Sequence, residues 1–422
     1  MYREFTFSGR ALSSFQSSYW SFIPGGITAP NGFHASGVSA GLKPSQKLDL
    51  ALILAPQDAL CVGAFTQSEV RAKCVDLSVE RLRKTDGLVR AILVNAGQAN
   101  ACTGNRGLTD SLIATNAVSK KLGLLEEEVL ICSTGVIGQP IPIQKLLGSV
   151  NLLVESLSKS GASDAAKAIL TTDLCEKHIA IEAFLGGRCV RIGGMAKGSG
   201  MIHPNMATML GFLTCDVGLP KAIWQGMIKR VVNCSFNSIS VDGDTSTNDS
   251  FLAFAQGEDL EQKYFQVLEE GLKIVSTSLA KSIARDGEGS NCLIEIKIEG
   301  AESILDAQTI ARTISSSSLV KTAVHGCDPN WGRIVAAAGN AGIPFDLEDV
   351  SLWIGKYQLM EKGLPLLFDR DSVSNYMRNI VKGDGKETLN INLNIGKGIY
   401  EGFSWGCDLS SDYVKINADY TT

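Results

Sequence analysis

The stretch KGSGMIHPNMATMLGFL, residues 197–213, decides how the rest of the chain is laid out. It opens with a glycine-broken cationic turn, Lys197-Gly198-Ser199-Gly200, and passes through a loop holding His203-Pro204-Asn205. At Met209 an uninterrupted apolar run begins and lasts to Leu213, which reads as a buried core strand. Thr208 therefore stands where a polar loop meets that strand. Two readings of the position stand side by side. In one it is an ordinary threonine at the mouth of a strand. In the other its hydroxyl attacks the preceding peptide bond and leaves Thr208 with a free α-amine, which titrates near pH ~7.7–8.0 and can act as its own base. His203 has the residue type of a base but is followed by Pro204, so it reads as shaping the loop.

Outward from this stretch, strands and helices interleave. Strands are expected at Leu48–Leu54, Leu60–Phe65, Ala91–Val94, Val129–Cys132, Ile179–Leu185 and Val190–Ile192. Helices are expected from about Leu108 to Leu122, stopped by Gly123, and over Ile143–Leu157, Ser163–Leu170, Ile223–Val232 and Leu260–Ile283. After Arg285 the composition changes to a smaller α/β unit. Its strands are expected at Ile294–Ile298, Val350–Ile354 and Leu389–Ile395, with a helix at Ile304–Ile314 and a small-residue segment at Ile334–Ala338. The class is α/β.

The 422 residues, 45% hydrophobic and 20% charged, suffice for two or three domains with a large core. A net charge of −5 with no Lys/Arg-rich run gives a nucleic-acid role no footing. No apolar stretch reaches the length of a membrane span. The cysteines are scattered without metal-ligand spacing, so no metal site is expected. Several (Cys61, Cys132, Cys189, Cys215) sit in apolar runs, as small hydrophobes do in a reducing compartment. A cytoplasmic setting follows. An organelle-targeting reading of the first 22 residues is opposed by Glu4 and the scarcity of arginine.

If Thr208 is a nucleophile, it needs an oxyanion hole and groups that hold a substrate. The strand exit Ser133-Thr134-Gly135 suits converging backbone donors. Lys197 suits a carboxylate, and Glu288, set between two glycines, suits an ammonium. Together they suggest an amino-acid substrate. The loop Val241–Asp249, VDGDTSTND, lacks EF-hand spacing and reads as a hydrogen-bonded loop.

KGSGMIHPNMATML, taken with ITAPNGFHASGVSAGLK (27–43), NAGQANACTG (95–104), STGVIG (133–138), VDGDTSTND, DGEGS (286–290), VKTAVHGCDPNWGR (320–333) and the closing NADYTT (417–422), resembles the ornithine acetyltransferase (glutamate N-acetyltransferase) family of arginine biosynthesis. The resemblance implies a precursor that cuts itself between Ala207 and Thr208 into an α chain, 1–207, and a β chain, 208–422. It implies ping-pong transfer of an acetyl group from N-acetylornithine to glutamate through acetyl-Thr208, with no cofactor. Acetyl-CoA is admitted as a second donor, and an α2β2 assembly is implied. Thr134 and Gly135 would form the oxyanion hole. Lys197, Glu288, Asn417 and Thr422 would contact substrate, together with Thr171 or Thr172 of the LTTD motif. The implied fold is sandwich-like, similar to but distinct from the N-terminal-nucleophile hydrolases. It has a main domain over 1–284 and a smaller α/β domain over 285–422, whose tail returns to the site. A self-processing aminopeptidase or amidase of the related fold is the alternative.

Overall fold

An apolar run without alternation needs cover on both faces. The computed structural model, which describes residues 19–203, 209–383, 385 and 387–419, places Leu210–Cys215 inside a six-stranded sheet. Across that sheet the order is Ser21–Ile23, Lys177–Leu185, Arg188–Lys197, Leu210–Cys215, Ser250–Ala255, Leu60–Phe65. Neighbours are antiparallel except Leu210–Cys215 and Ser250–Ala255, which run parallel. A second sheet holds His34–Val38, Leu50–Leu54, Ala91–Gln98 and Val129–Val136, and only its last pair is parallel.

The two sheets share one apolar layer. Leu210, Phe212, Leu252 and Phe254 from the first meet Ile53, Ile92, Val94 and Leu130 from the second. Burying side chains of this size contributes about 1.5–3 kcal/mol each. Leu213, Cys215 and Ala253 point the other way, onto Trp224 and Val231 of helix Lys221–Cys234 and Leu272 and Val275 of helix Phe265–Arg285. The outer face of the four-stranded sheet is covered by helices Lys73–Lys84, Gly104–Leu122 and Ile143–Glu155. The layers therefore run helix, sheet, sheet, helix, and the α/β class expected from the sequence holds. A third sheet of seven strands follows, with Leu293–Ala301 between Tyr400–Cys407 and Thr388–Asn394, and a core of its own under helices Ile304–Ser316 and Arg370–Val381.

Several elements differ from expectation. Strands expected to stop at Val94 and Cys132 continue to Gln98 and Val136, because the small residues beyond those points pair with one another in parallel. Ser133-Thr134-Gly135 is thus strand, not strand exit. Ser250–Ala255 and Tyr400–Cys407 carry no expectation, yet both are interior strands of their sheets. The segment around Ile334 is a helix, Trp331–Gly339, started by the Asn330 side chain accepting from the Arg333 N–H at 3.2 Å. Cys189 is exposed rather than buried, because it lies on the face opposite the buried Val190 and pairs with the exposed Phe184.

Candidate active site

Seven residues singled out from the sequence line one cleft of about 180 Å³: Thr134, Gly135, Thr171, Thr172, Lys197, Glu288 and Asn417. Ala207, Thr208 and Thr422 lie outside the described residues. Met209, next to Thr208, is described and buried.

Lys197 ends the strand Arg188–Lys197, and its side chain is almost wholly buried. Its ammonium donates to Thr171 Oγ1 at 2.9 Å and Thr134 Oγ1 at 3.2 Å. The adjacent threonines of the LTTD motif are thus distinguished: Thr171 is tied to Lys197, while Thr172 lines the cleft beside it. Burial pulls the Lys197 ammonium below the usual lysine range, against the attraction of Asp173 at 3.8 Å.

Behind Lys197 lies an ion cluster that sequence reasoning did not find. Lys177 is wholly buried and sits 2.7 Å from Asp173 and 2.5 Å from Asp286. Burial would raise the Asp173 carboxyl, but the ammonium groups of Lys177 and Lys197 outweigh it and hold the carboxyl well below its ordinary range. Burial likewise opposes the charge on Lys177, and its two carboxylates outweigh that and hold its pKa up. The cluster reaches two of the segments that line the cleft. Asp173 accepts from the N–H groups of Gly198 (2.7 Å) and Thr171 (3.1 Å), and the Asp286 carbonyl accepts from Ser199 Oγ at 2.6 Å, two residues before Glu288. Removing the central cation leaves two buried carboxylates facing each other. Lys177→Met is therefore expected to cost about 3–5 kcal/mol, read as a lowered urea midpoint. A midpoint equal to that of the wild type would rule out this account of the cluster.

Glu288 reaches the cleft because Gly200 leaves room for it: a Cβ at Gly200 would lie 2.4 Å from the Glu288 carboxylate. Across the cleft, Asn417 on helix Ser411–Asp419 donates to Glu288 Oε2 at 2.8 Å. Tyr413 of the same helix also lines the cleft, as do Asp242, Asp244 and Asn248 of the VDGDTSTND loop. Burial pushes the Asp242 carboxyl up to about 6. The cleft is therefore lined by three carboxylates, Asp242, Asp244 and Glu288, as well as by the Lys197 ammonium. The sequence marks this loop only as a hydrogen-bonded one; its place in the cleft depends on strand Ser250–Ala255, which carried no expectation. His203, half-buried, pairs with Ser240 Oγ at 3.3 Å and is not part of the cleft lining. No group of three His, Cys, Asp or Glu suited to a metal ion occurs among the described residues.

Gly135 has φ +128°, in the region that favours glycine, and a Cβ there would fall 2.3 Å from the Gly97 carbonyl carbon. The pairing register slips at this point, between Gly97 and Gln98. A bulge of this kind turns backbone groups out of the regular ladder, which suits a place where N–H groups must face a ligand.

A family model described as ArgJ family matches residues 34–422. The chain belongs to the ArgJ family. It is 68% identical, over 97% of its length and 100% of the relative's, to the arginine biosynthesis bifunctional protein ArgJ of a strain of Prochlorococcus marinus. A crystal structure of arginine biosynthesis bifunctional protein ArgJ from Bacillus halodurans is 37% identical, covers 50% of this chain and 100% of that one, and has a TM-score of 0.47. The structure of ornithine acetyltransferase complexed with ornithine from Mycobacterium tuberculosis is 39% identical, covers 44% of this chain and 98% of that one, and has a TM-score of 0.41. Membership bears out the family resemblance carried by the motifs, and this ArgJ-family chain is an acetyl-transferring enzyme of arginine biosynthesis. No helix among its described residues is long and apolar enough to cross a membrane.

Proposed function

We propose that the chain moves an acetyl group from N-acetylornithine to glutamate by a ping-pong mechanism through Thr208, after cutting itself between Ala207 and Thr208. The observation that carries this is the cleft itself. A buried ammonium, a carboxylate and the Thr134-Gly135 bend converge in a space the size of an amino acid, beside the strand that begins just after Thr208.

In the self-cleavage, Thr208 Oγ attacks the Ala207 carbonyl carbon and the peptide C–N bond breaks. This yields an ester whose hydrolysis by water leaves a carboxylate on Ala207 and a free amine on Thr208. In the first half of transfer, that amine takes the hydroxyl proton as Thr208 Oγ bonds to the acetyl carbon. The acetyl C–N bond then breaks, and ornithine departs with the proton. In the second half, the glutamate amine attacks the acetyl ester, the C–O bond breaks and the Thr208 hydroxyl is restored. Each step passes through a tetrahedral oxyanion, which donors at Thr134-Gly135 stabilise. Lys197 pairs with the substrate carboxylate and Glu288 with an ammonium. Thr171, Thr172, Asn417 and Thr422 complete the contacts. No cofactor is required, acetyl-CoA serves as a second donor to the same threonine, and the pieces assemble as α2β2 in the cytoplasm. Residues 1–284 form the main domain and 285–422 the smaller one that lends its tail to the site.

Trapping the protein with N-acetylornithine and no acceptor is expected to add one acetyl group, located on Thr208 by mass spectrometry. Glutamate should then discharge it as N-acetylglutamate. An acetyl group on another residue overturns the nucleophile. Discharge to water at a rate indifferent to glutamate overturns the transferase and leaves an amidase.

A further inference from the structure

The VDGDTSTND loop ends in two neighbouring residues whose side chains grip two different strands. Asn248 is buried, and its amide donates to the Ala99 carbonyl at 2.5 Å and to the Ser133 carbonyl at 2.9 Å. Ser133 immediately precedes Thr134-Gly135, and Ala99 immediately follows the partner strand Ala91–Gln98. Both amide hydrogens of Asn248 are thus spent on the bulged end of the parallel pair. The amide itself is oriented by Thr247 Oγ1, which donates to Asn248 Oδ1 at 2.5 Å.

Asp249 is wholly buried, and its Oδ1 accepts from the Met209 N–H at 2.9 Å. That N–H belongs to the peptide bond joining Thr208 to Met209, so its nitrogen is about 1.33 Å from the Thr208 carbonyl carbon by covalent geometry. The grip is doubled in the main chain, where the Ser250 N–H donates to the Met209 carbonyl at 3.2 Å. Oδ2 of Asp249 is buried with no hydrogen-bond partner among the described residues, and burial pushes this carboxyl well above the ordinary carboxylate range. What the geometry uses is Oδ1 as a hydrogen-bond acceptor for the Met209 N–H.

Consecutive Cα atoms are about 3.8 Å apart and cannot be separated. Side chains on two consecutive residues therefore link the strand after Thr208 to the strand carrying Thr134-Gly135 by one short, rigid connection. We propose that Asn248 and Asp249 are positioning residues that fix the distance between Thr208 and the Thr134-Gly135 oxyanion donors. This rests on the nucleophile and oxyanion roles proposed above. Neither residue need touch the substrate. What they control is a geometry used by every tetrahedral step, in self-cleavage and in acetyl transfer alike, and misplacement of donors by about 1 Å costs on the order of 100-fold in rate.

The test measures two rates on one set of variants: the half-time of precursor self-cleavage, and kcat and KM for transfer from N-acetylornithine to glutamate. Asn248→Ala and Asp249→Ala are each expected to slow both rates by about 100-fold, the scale of a lost oxyanion donor, while KM moves by less than about 3-fold. Asp249→Asn, which keeps an oxygen acceptor opposite the Met209 N–H, is expected to restore most of the loss seen with Asp249→Ala. Should Asn248→Ala not fold, Asn248→Gln, which keeps the amide but shifts it by one methylene, carries the same expectation. The proposal is overturned if the alanine variants cleave and turn over like wild type, if turnover falls while cleavage does not, or if Asp249→Asn is as slow as Asp249→Ala. A wild-type chain that neither cuts itself nor acetylates Thr208 would instead bring down the underlying nucleophile assignment.

Discussion

Thr208→Ala is expected to leave a single uncut chain on a denaturing gel and to reduce acetyl transfer by at least about 10⁴-fold. Both effects follow from one missing atom. Without Oγ nothing attacks the Ala207 carbonyl, so no α-amine is freed, and nothing remains to carry the acetyl group between donor and acceptor. Thr208→Ser keeps an oxygen in place and is expected to cut itself and turn over, though more slowly, since the lost methyl group frees the side chain to rotate. The result that would sink the assignment is an alanine variant that still splits into two fragments or still turns over.

Gly135→Ala is expected to be the most damaging single methyl group that can be added to this chain's cleft. At φ +128° an alanine is strained, and its Cβ would lie 2.3 Å from the Gly97 carbonyl carbon, 2.5 Å from its oxygen and 2.7 Å from the Gln98 nitrogen. All three are backbone atoms of the neighbouring strand, so no rotamer change relieves the clash and the strands must part. Strain of this type costs on the order of 1–3 kcal/mol. The parting moves Thr134-Gly135 by a distance that matters to catalysis, and kcat should fall by about 10²–10³-fold with a much smaller change in KM. Steady-state kinetics on the purified variant decides it. An unchanged kcat would separate this bend from the oxyanion hole.

Much of the fold was legible because apolar periodicity reports burial directly. The run after Thr208 announced a strand covered on both faces, and the alternation at Ile294, Ile296 and Ile298 announced one face of the third sheet. What escaped were elements whose identity is set by distant partners. Ser250–Ala255 follows a loop of Asx and hydroxyl residues that reads as irregular, yet it is the parallel neighbour of Leu210–Cys215. The strand character of Thr134-Gly135 depends on Ala96-Gly97, some forty residues earlier, and no local pattern reveals that pairing. The cleft shows the same division. Lys197 and Glu288 stood out as charged residues among glycines. Lys177 did not, because its significance lies in Asp286, 109 residues further along the chain, which folds back to share the ammonium with the nearby Asp173.

The order of strands in the six-stranded sheet has a consequence for the cut protein. Leu210–Cys215 and Ser250–Ala255 belong to the proposed second fragment, yet on one side they are paired with Arg188–Lys197 and on the other with Leu60–Phe65, both from the first. Breaking one covalent bond between Ala207 and Thr208 would therefore release nothing. To come apart, the halves would have to unzip two full ladders and expose the apolar layers above and below them, which amounts to unfolding. The proposed nick would be a change of chemistry at one nitrogen with no change of partnership, so the two halves are expected to travel as one particle through any purification that stops short of denaturing them.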